Sequence, residues 1–594
     1  MQNKISDKLP ILVWKRQQRN KSLMLLLLIM VLSACTTDGS VRDESSPGSG
    51  ETDRASAVDP APSADDLDPD LLFHALAAER LGAQGDYFEA FGHAYEASLL
   101  SDDPDLARQA VSLAMRVGHW EGVTQAARRW LQLDPASNAA SQLVVLGLIN
   151  QDQPEAAARE LAAGIETAED GAAAWRDATL LMASAEQEEQ ALATMDALAD
   201  RLPGEDPGRI LESRSLLLWQ LGRPEDAFEL ARDAAAESTD IDRLVWTAQL
   251  AVANEDYDAA LDWYRRARGI DPEDPGLALA EAEVLRQMER GDESLELLAS
   301  VPPSTSTLYT LGIYQFELDD LEGARESWNR LAGLDSPDDP LEHAYLTGFL
   351  AELLELDQEA LDWYSRVEEG ENANRALLRR AGIEGRSGSL MEARNLLRAV
   401  RLGSDEDLAE QSWLTEAELL READRADECI DMLTEVLREQ PSSIWLLYSR
   451  SLCAVDAERI ELAEQDLRRI IQIDGENAMA LNALGYTLTD RTRRHSEALR
   501  LIERALELQP DDPATLDSMG WVLYRLGRLD ESIVYLERAW DMDKNPEIGA
   551  HLAEVLFFLD RRDEAMALME ELLSDHPDDD VVIETRDRLT QSPQ

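Results

Sequence analysis

Few residues of this chain could do chemistry, and their spacing does not favour it. The seven histidines, His74, His93, His119, His343, His495, His551 and His576, form no HExxH motif and no i, i+4 pair. A zinc site of that kind is therefore not encoded, and each imidazole is expected to pack in the fold or lie on its surface. Beyond Lys21 the only lysine is Lys544, in "DMDKNP", with no glycine-rich loop beside it. That excludes a phosphate-binding loop and a Ser–Lys dyad together. The GxSxG nucleophile motif is absent. With 119 Asp and Glu residues, carboxylates lie close together everywhere, so their proximity says nothing about acid–base catalysis. The acidic run near 65–70 lacks the spacing and the glycine of a calcium loop and reads as a solvated segment. The expectation is a protein that is not an enzyme, with no cofactor, metal or nucleotide.

Cys429 and Cys453 remain. Both fall on helical core positions, and two buried free thiols are the expectation, with a bridge as the alternative.

The elements that hold these residues are repeats. A small residue recurs from Ala90, Val123 and Ala157 through Ala463, Ala498 and Ser532 to Ala565, fifteen times at gaps of 30–36 residues. Twelve positions earlier a second small residue often stands, as at Ala248, Gly312, Gly348 and Gly520. Twelve later a proline often does, as at Pro272, Pro441 and Pro510. Two helices approach closely only where both present small side chains. Large apolar residues at three- and four-residue steps, such as Leu481, Leu484, Leu488, Ile502 and Leu506, fill the flanks. Proline then ends the second helix. One such pair cannot bury its own apolar face, so neighbours must stack. Residues 275–300 and 374–400 carry the pattern weakly and are assigned by phase.

A helix–turn–helix of about 34 residues with small residues at positions 8, 20 and 27 and proline at 32 resembles the tetratricopeptide repeat. Gly485, Ala498, Ala505 and Pro510 occupy those places in one unit; the next has Gly520, Ser532 and Ala539, with Lys544 where proline is expected. The resemblance implies an all-α, right-handed superhelical solenoid of about 15 repeats over residues 71–580, followed by a tail at 581–594. It also implies a concave groove lined by positions 2, 5, 9 and 12 of each first helix. In that register the groove gains Tyr309, Phe316, Tyr345, Phe349, Tyr448, Asn482, Tyr486, Asp517, Trp521 and Tyr524. Aromatic side chains with polar tips suit the anchoring of a protein partner. Trp521 follows Gly520, so it should point about 100° away from the close helix contact, with Tyr486 as its neighbouring rung.

The N-terminus is a separate matter. Six basic residues between Lys4 and Lys21 precede "LMLLLLIMVL" at 23–32, an apolar run of signal-peptide length. It ends in "LSAC", which resembles the lipobox of bacterial lipoproteins. That implies removal of 1–34 and acylation of Cys35; Thr36 at the next position resembles the outer-membrane class. Residues 35–70 are rich in Ser, Asp, Gly and Pro and read as a disordered acidic tether. Cleavage removes six bases and one acid, taking the net charge from −63 to −68. Such a surface does not attract nucleic acid.

"LNALGYTLTDRT", "LDSMGWVLYRLGR" and "NPEIGAHLAEVLF" behind a lipobox resemble the tetratricopeptide outer-membrane lipoproteins of gammaproteobacteria. That family includes the adaptor of a periplasmic carboxy-terminal processing protease. The resemblance implies a lipid-anchored scaffold facing the periplasm, with the protease and peptidoglycan hydrolases as partners. The alternative is a structural part of an envelope machine, in pilus assembly or polysaccharide export.

Overall fold

The computed structural model describes residues 68–335 and 337–591. Among the described residues there are 31 helices, from Pro69–Gln84 to Asp580–Gln591, and no strand. They follow one another as fifteen first and second helices plus a final single helix, including the weakly marked units Pro275–Gln287 with Gly291–Ser300 and Ala373–Arg386 with Leu390–Gly403. The chain divides into two compact units, one ending at Gly323 and the other starting at Ala324.

First and second helices start by different means. Most first helices are capped by side chains: Asp103, Asp170, Asp240, Asp339, Ser443, Asn477 and Asp512 each accept from a backbone N–H of the first turn. Many then have proline in the first turn, where its missing N–H costs nothing. Most second helices have no such cap. Instead an arginine at the start pairs with an acid three residues on, as in Arg290–Glu293, Arg494–Glu497, Arg528–Glu531 and Arg561–Glu564. These acids also face the helix N-terminus, where negative charge is favoured.

The turn between the two helices keeps the same rhythm. A left-handed residue stands at Gly85, Gly118, Asp152, Gly222, Glu255, Glu289, Asp319, Glu355, Gly388, Asp424, Glu458, Gly527 and Asp560. A positive φ is costly for Glu, so these turns hold their shape against local preference.

The core follows the small residues. All fifteen recurring positions, Ala90 to Ala565, are 0–1% exposed. In the unit from Ala324, a Cβ on Gly520 would lie 3.2 Å from the Ser532 carbonyl oxygen, and one on Gly485 the same distance from that of Ala498. The Ser532 hydroxyl donates to the Gly520 carbonyl at 2.6 Å, closing the same contact.

Three boundaries and bonds differ from expectation. The first helix begins at Pro69, because Asp68 caps it, so ordered structure reaches into the segment read as tether. The expected tail at 581–594 is helical over Asp580–Gln591, since Val582 and Leu589, seven residues apart, share one apolar face. Both are buried, at 0% and 4% exposed, against the last repeat. Cys429 and Cys453 are bridged rather than free, with Cα atoms 6.2 Å apart. One lies on Ala426–Glu439 and the other on the next first helix, Ile444–Asp456, so the expectation of two thiols missed a contact between repeats.

Candidate protein-binding surface

Consecutive first helices of the unit from Ala324 pack side by side: Ala478–Arg491 against Pro513–Arg525, that against Pro546–Phe558, and that against Asp580–Gln591. Residues one turn apart on each helix therefore form rungs of a common strip. Five of the sequence-assigned residues, Asn482, Tyr486, Asp517, Trp521 and Tyr524, lie on these helices.

The strip is tied across repeats by its own side chains. The Tyr486 hydroxyl donates to Glu547, reaching past the intervening first helix to a residue 61 positions on. His551 Nδ1 lies 2.9 and 3.0 Å from the two Asp517 carboxylate oxygens. The His551 ring stacks on Trp521, with centroids 4.0 Å apart and planes 18° apart. The Tyr524 hydroxyl donates to Glu554 at 2.8 Å, and Arg588 lies 3.4 Å from the other oxygen of that carboxylate. Tyr524 also lies 5.0 Å from the Trp521 ring and 5.8 Å from Phe558.

Burial would lower the pKa of His551, but Asp517, Glu547 and Glu554 outweigh it and hold the imidazole above its ordinary value. Burial and Glu547 push the Tyr486 phenol well above its ordinary range, so it remains a donor.

These contacts correct part of the sequence reading. Trp521 does face away from the Gly520 contact, but it is not free: it is 4% exposed. Asp517 is 5% exposed and paired. First helices approach closely enough for a residue at position 9 to pack on the next repeat. Tyr486, Asn482 and Tyr524 stay partly open. Tyr448 is half-buried on Ile444–Asp456. Tyr345 and Phe349 are half-buried on Pro340–Leu353, with Arg379 over the Phe349 ring at 4.8 Å. Tyr309 and Phe316, half-buried on Thr305–Glu317, belong to the other unit.

His551, Glu547 and Glu554 were not assigned to the groove. A signal existed: His551 lies 34 residues after Asp517, one repeat length, so the two occupy matching places in adjacent repeats. Two buried polar atoms of the strip, Trp521 Nε1 and Asn482 Oδ1, have no hydrogen-bond partner among the described residues.

Capped helical hairpins in tandem, with first helices forming a row that offers aromatic and amide groups, define a repeat scaffold for binding proteins. The chain belongs to the tetratricopeptide repeat family. Tetratricopeptide repeat patterns match residues 251–307 and 523–583, and 214–275, 452–513 and 487–547. A TPR repeat-containing protein of Pseudomonas aeruginosa is 30% identical over 541 residues, covering 90% of each chain. Among solved structures, yeast Tom70 matches 88% of this chain and 99% of its own at 13% identity and a TM-score of 0.35. A tetratricopeptide repeat protein from Parabacteroides merdae matches 43% and 99% at 15% identity and a TM-score of 0.36.

Proposed function

We propose that this protein is a lipid-anchored scaffold of the bacterial periplasm that holds a carboxy-terminal processing protease and brings peptidoglycan hydrolases to it. The observation that carries the protein-binding part is the row of first helices from Ala478 to Gln591, with Tyr486, Asn482 and Tyr524 partly open. The anchoring part rests on "LSAC" and Cys35, which lie outside the described residues. Among the described residues no helix is long and apolar enough to cross a membrane, so in this reading attachment falls to the lipid. The Cys429–Cys453 bridge suits an oxidising compartment. The choice of protease and hydrolases follows the resemblance of the last repeats to the lipoprotein family.

Affinity capture from the organism's own envelope extract tests the reading. We expect a soluble protease and cell-wall hydrolases to be retained. Retention of membrane-embedded secretion components instead would transfer the protein to the envelope-machine reading. Replacing Cys35 by serine should leave the protein unprocessed or released, with its helical content intact; normal processing and membrane attachment of that variant would refute the anchor.

A further inference from the structure

The histidines form no i, i+4 pair along one helix, but the first hairpin brings together two that stand 19 residues apart. His74 lies on Pro69–Gln84 and His93 on Tyr87–Leu99, and these two helices pack against each other. The His74 and His93 Nδ1 atoms are 2.9 Å apart, with ring centroids at 5.0 Å and planes 45° apart. Phe73 meets both rings at 81°, with centroids 5.3 and 5.7 Å away, and so limits their rotation. Both imidazoles are half-buried, and no carboxylate among the described residues pairs with either.

Between two neutral rings one Nδ1 donates and the other accepts, so a single hydrogen holds the pair. The same two nitrogens are suited to a metal ion, because neutral imidazole is a common ligand. Two metal–nitrogen bonds of about 2.0–2.1 Å at 90° place the nitrogens about 2.9 Å apart, whereas a tetrahedral angle needs about 3.3 Å. The observed separation therefore matches adjacent positions of a tetragonal ion, Cu(II) or Ni(II), rather than tetrahedral Zn(II). Asp70 and Glu89 each precede one of these histidines by four residues and share its helix face. Together with the excess of 119 acids over 56 bases in the chain, they draw a cation here. No group of three ligating side chains occurs among the described residues, so the remaining positions fall to water.

We propose that His74 and His93 form a two-nitrogen site for a divalent cation of tetragonal preference, Cu(II) foremost. On binding, the shared hydrogen moves to Nε2 of its own ring and both Nδ1 lone pairs coordinate the ion, with no net release of a proton. The ion then cross-links the two helices of the first described repeat, where Leu72, Phe73 and Phe88 are exposed.

Titration of the untagged full-length protein in detergent with Cu(II) tests this, read by electron paramagnetic resonance and by melting temperature. With glycine present to suppress weak carboxylate sites, we expect saturation at one Cu(II) per chain, a spectrum showing two nitrogen ligands, and a raised melting temperature. His74→Gln and His93→Gln should each weaken binding at least tenfold and abolish the melting shift at unchanged helicity, whereas His495→Gln should change nothing. Zn(II) should bind at least tenfold more weakly than Cu(II). Equal Cu(II) binding by the parent and by the double variant His74→Gln with His93→Gln would mean an adventitious ion only and would overturn the proposal. No saturable binding, or Zn(II) binding as tight as that of Cu(II), would do the same. If a glutamine variant loses helicity, carbethoxylation of the parent decides: Cu(II) should protect His74 and His93, and unprotected rings would overturn the site.

Discussion

The two ends of the described chain treat the same problem differently. An end repeat lacks a neighbour and exposes the face that a neighbour would cover. At the C-terminal end Asp580–Gln591 supplies the cover, and Val582 and Leu589 are buried with Leu568, Met569 and Leu572. At the N-terminal end Leu72, Phe73 and Leu76 of the first helix are 46%, 60% and 55% exposed, and Phe88 of the second is 61% exposed. Among the described residues, one end is therefore covered by a helix of its own, and the other leaves apolar side chains exposed. The comparison also separates two uses of aromatic residues. Near the closed end Trp521 joins repeats, whereas near the other end Phe73 contacts, among the described aromatic rings, His74 and His93.

The largest effect should come from unseating the cap. Val582→Asp with Leu589→Asp places two charges in an apolar interface and should destabilise the last repeats by about 4 kcal/mol. Hydrogen exchange of 546–575 would report it, and unchanged protection would mean that the helix is not a cap. Next, Trp521→Ala should cost about 3 kcal/mol, measured by urea unfolding, since it removes a buried ring from a joint between repeats. A variant as stable as the parent would restore Trp521 to the free groove.

A smaller effect is expected from protonation of His551. Its folded pKa is raised above the unfolded value near 6.5, so the proton binds the folded state more tightly. The stabilisation is full below pH 6.5 and is lost as pH rises through the raised folded value. The melting temperature of the C-terminal repeats should therefore fall over that window in the parent and stay flatter in His551→Gln. Parallel profiles would show that His551 does not carry this pH dependence. The smallest effect belongs to the open end: Phe73→Ser should shift stability by no more than about 0.5 kcal/mol. A larger loss would show that something covers Phe73.

Much of this architecture was legible before any coordinates. Small residues every 30–36 positions locate all fifteen tight contacts, because only a small side chain lets two helices approach so closely. Contacts between repeats were less legible. Asp517–His551, Tyr524–Glu554 and Tyr486–Glu547 span 34, 30 and 61 residues. Phase shows which positions align, but not how near one first helix comes to the next. That distance turns Trp521 from a groove anchor into a joint and brings Cys429 to Cys453. The last helix was missed because its apolar stripe is short and lies among acids.

The most direct test of the scaffold reading is a cleavage assay in which a purified carboxy-terminal processing protease from the same organism meets a peptidoglycan hydrolase with and without the full-length protein. The account predicts that the protein forms a complex with both and speeds cleavage at least tenfold, while showing no cleavage alone. An unchanged rate with no complex formed would contradict it.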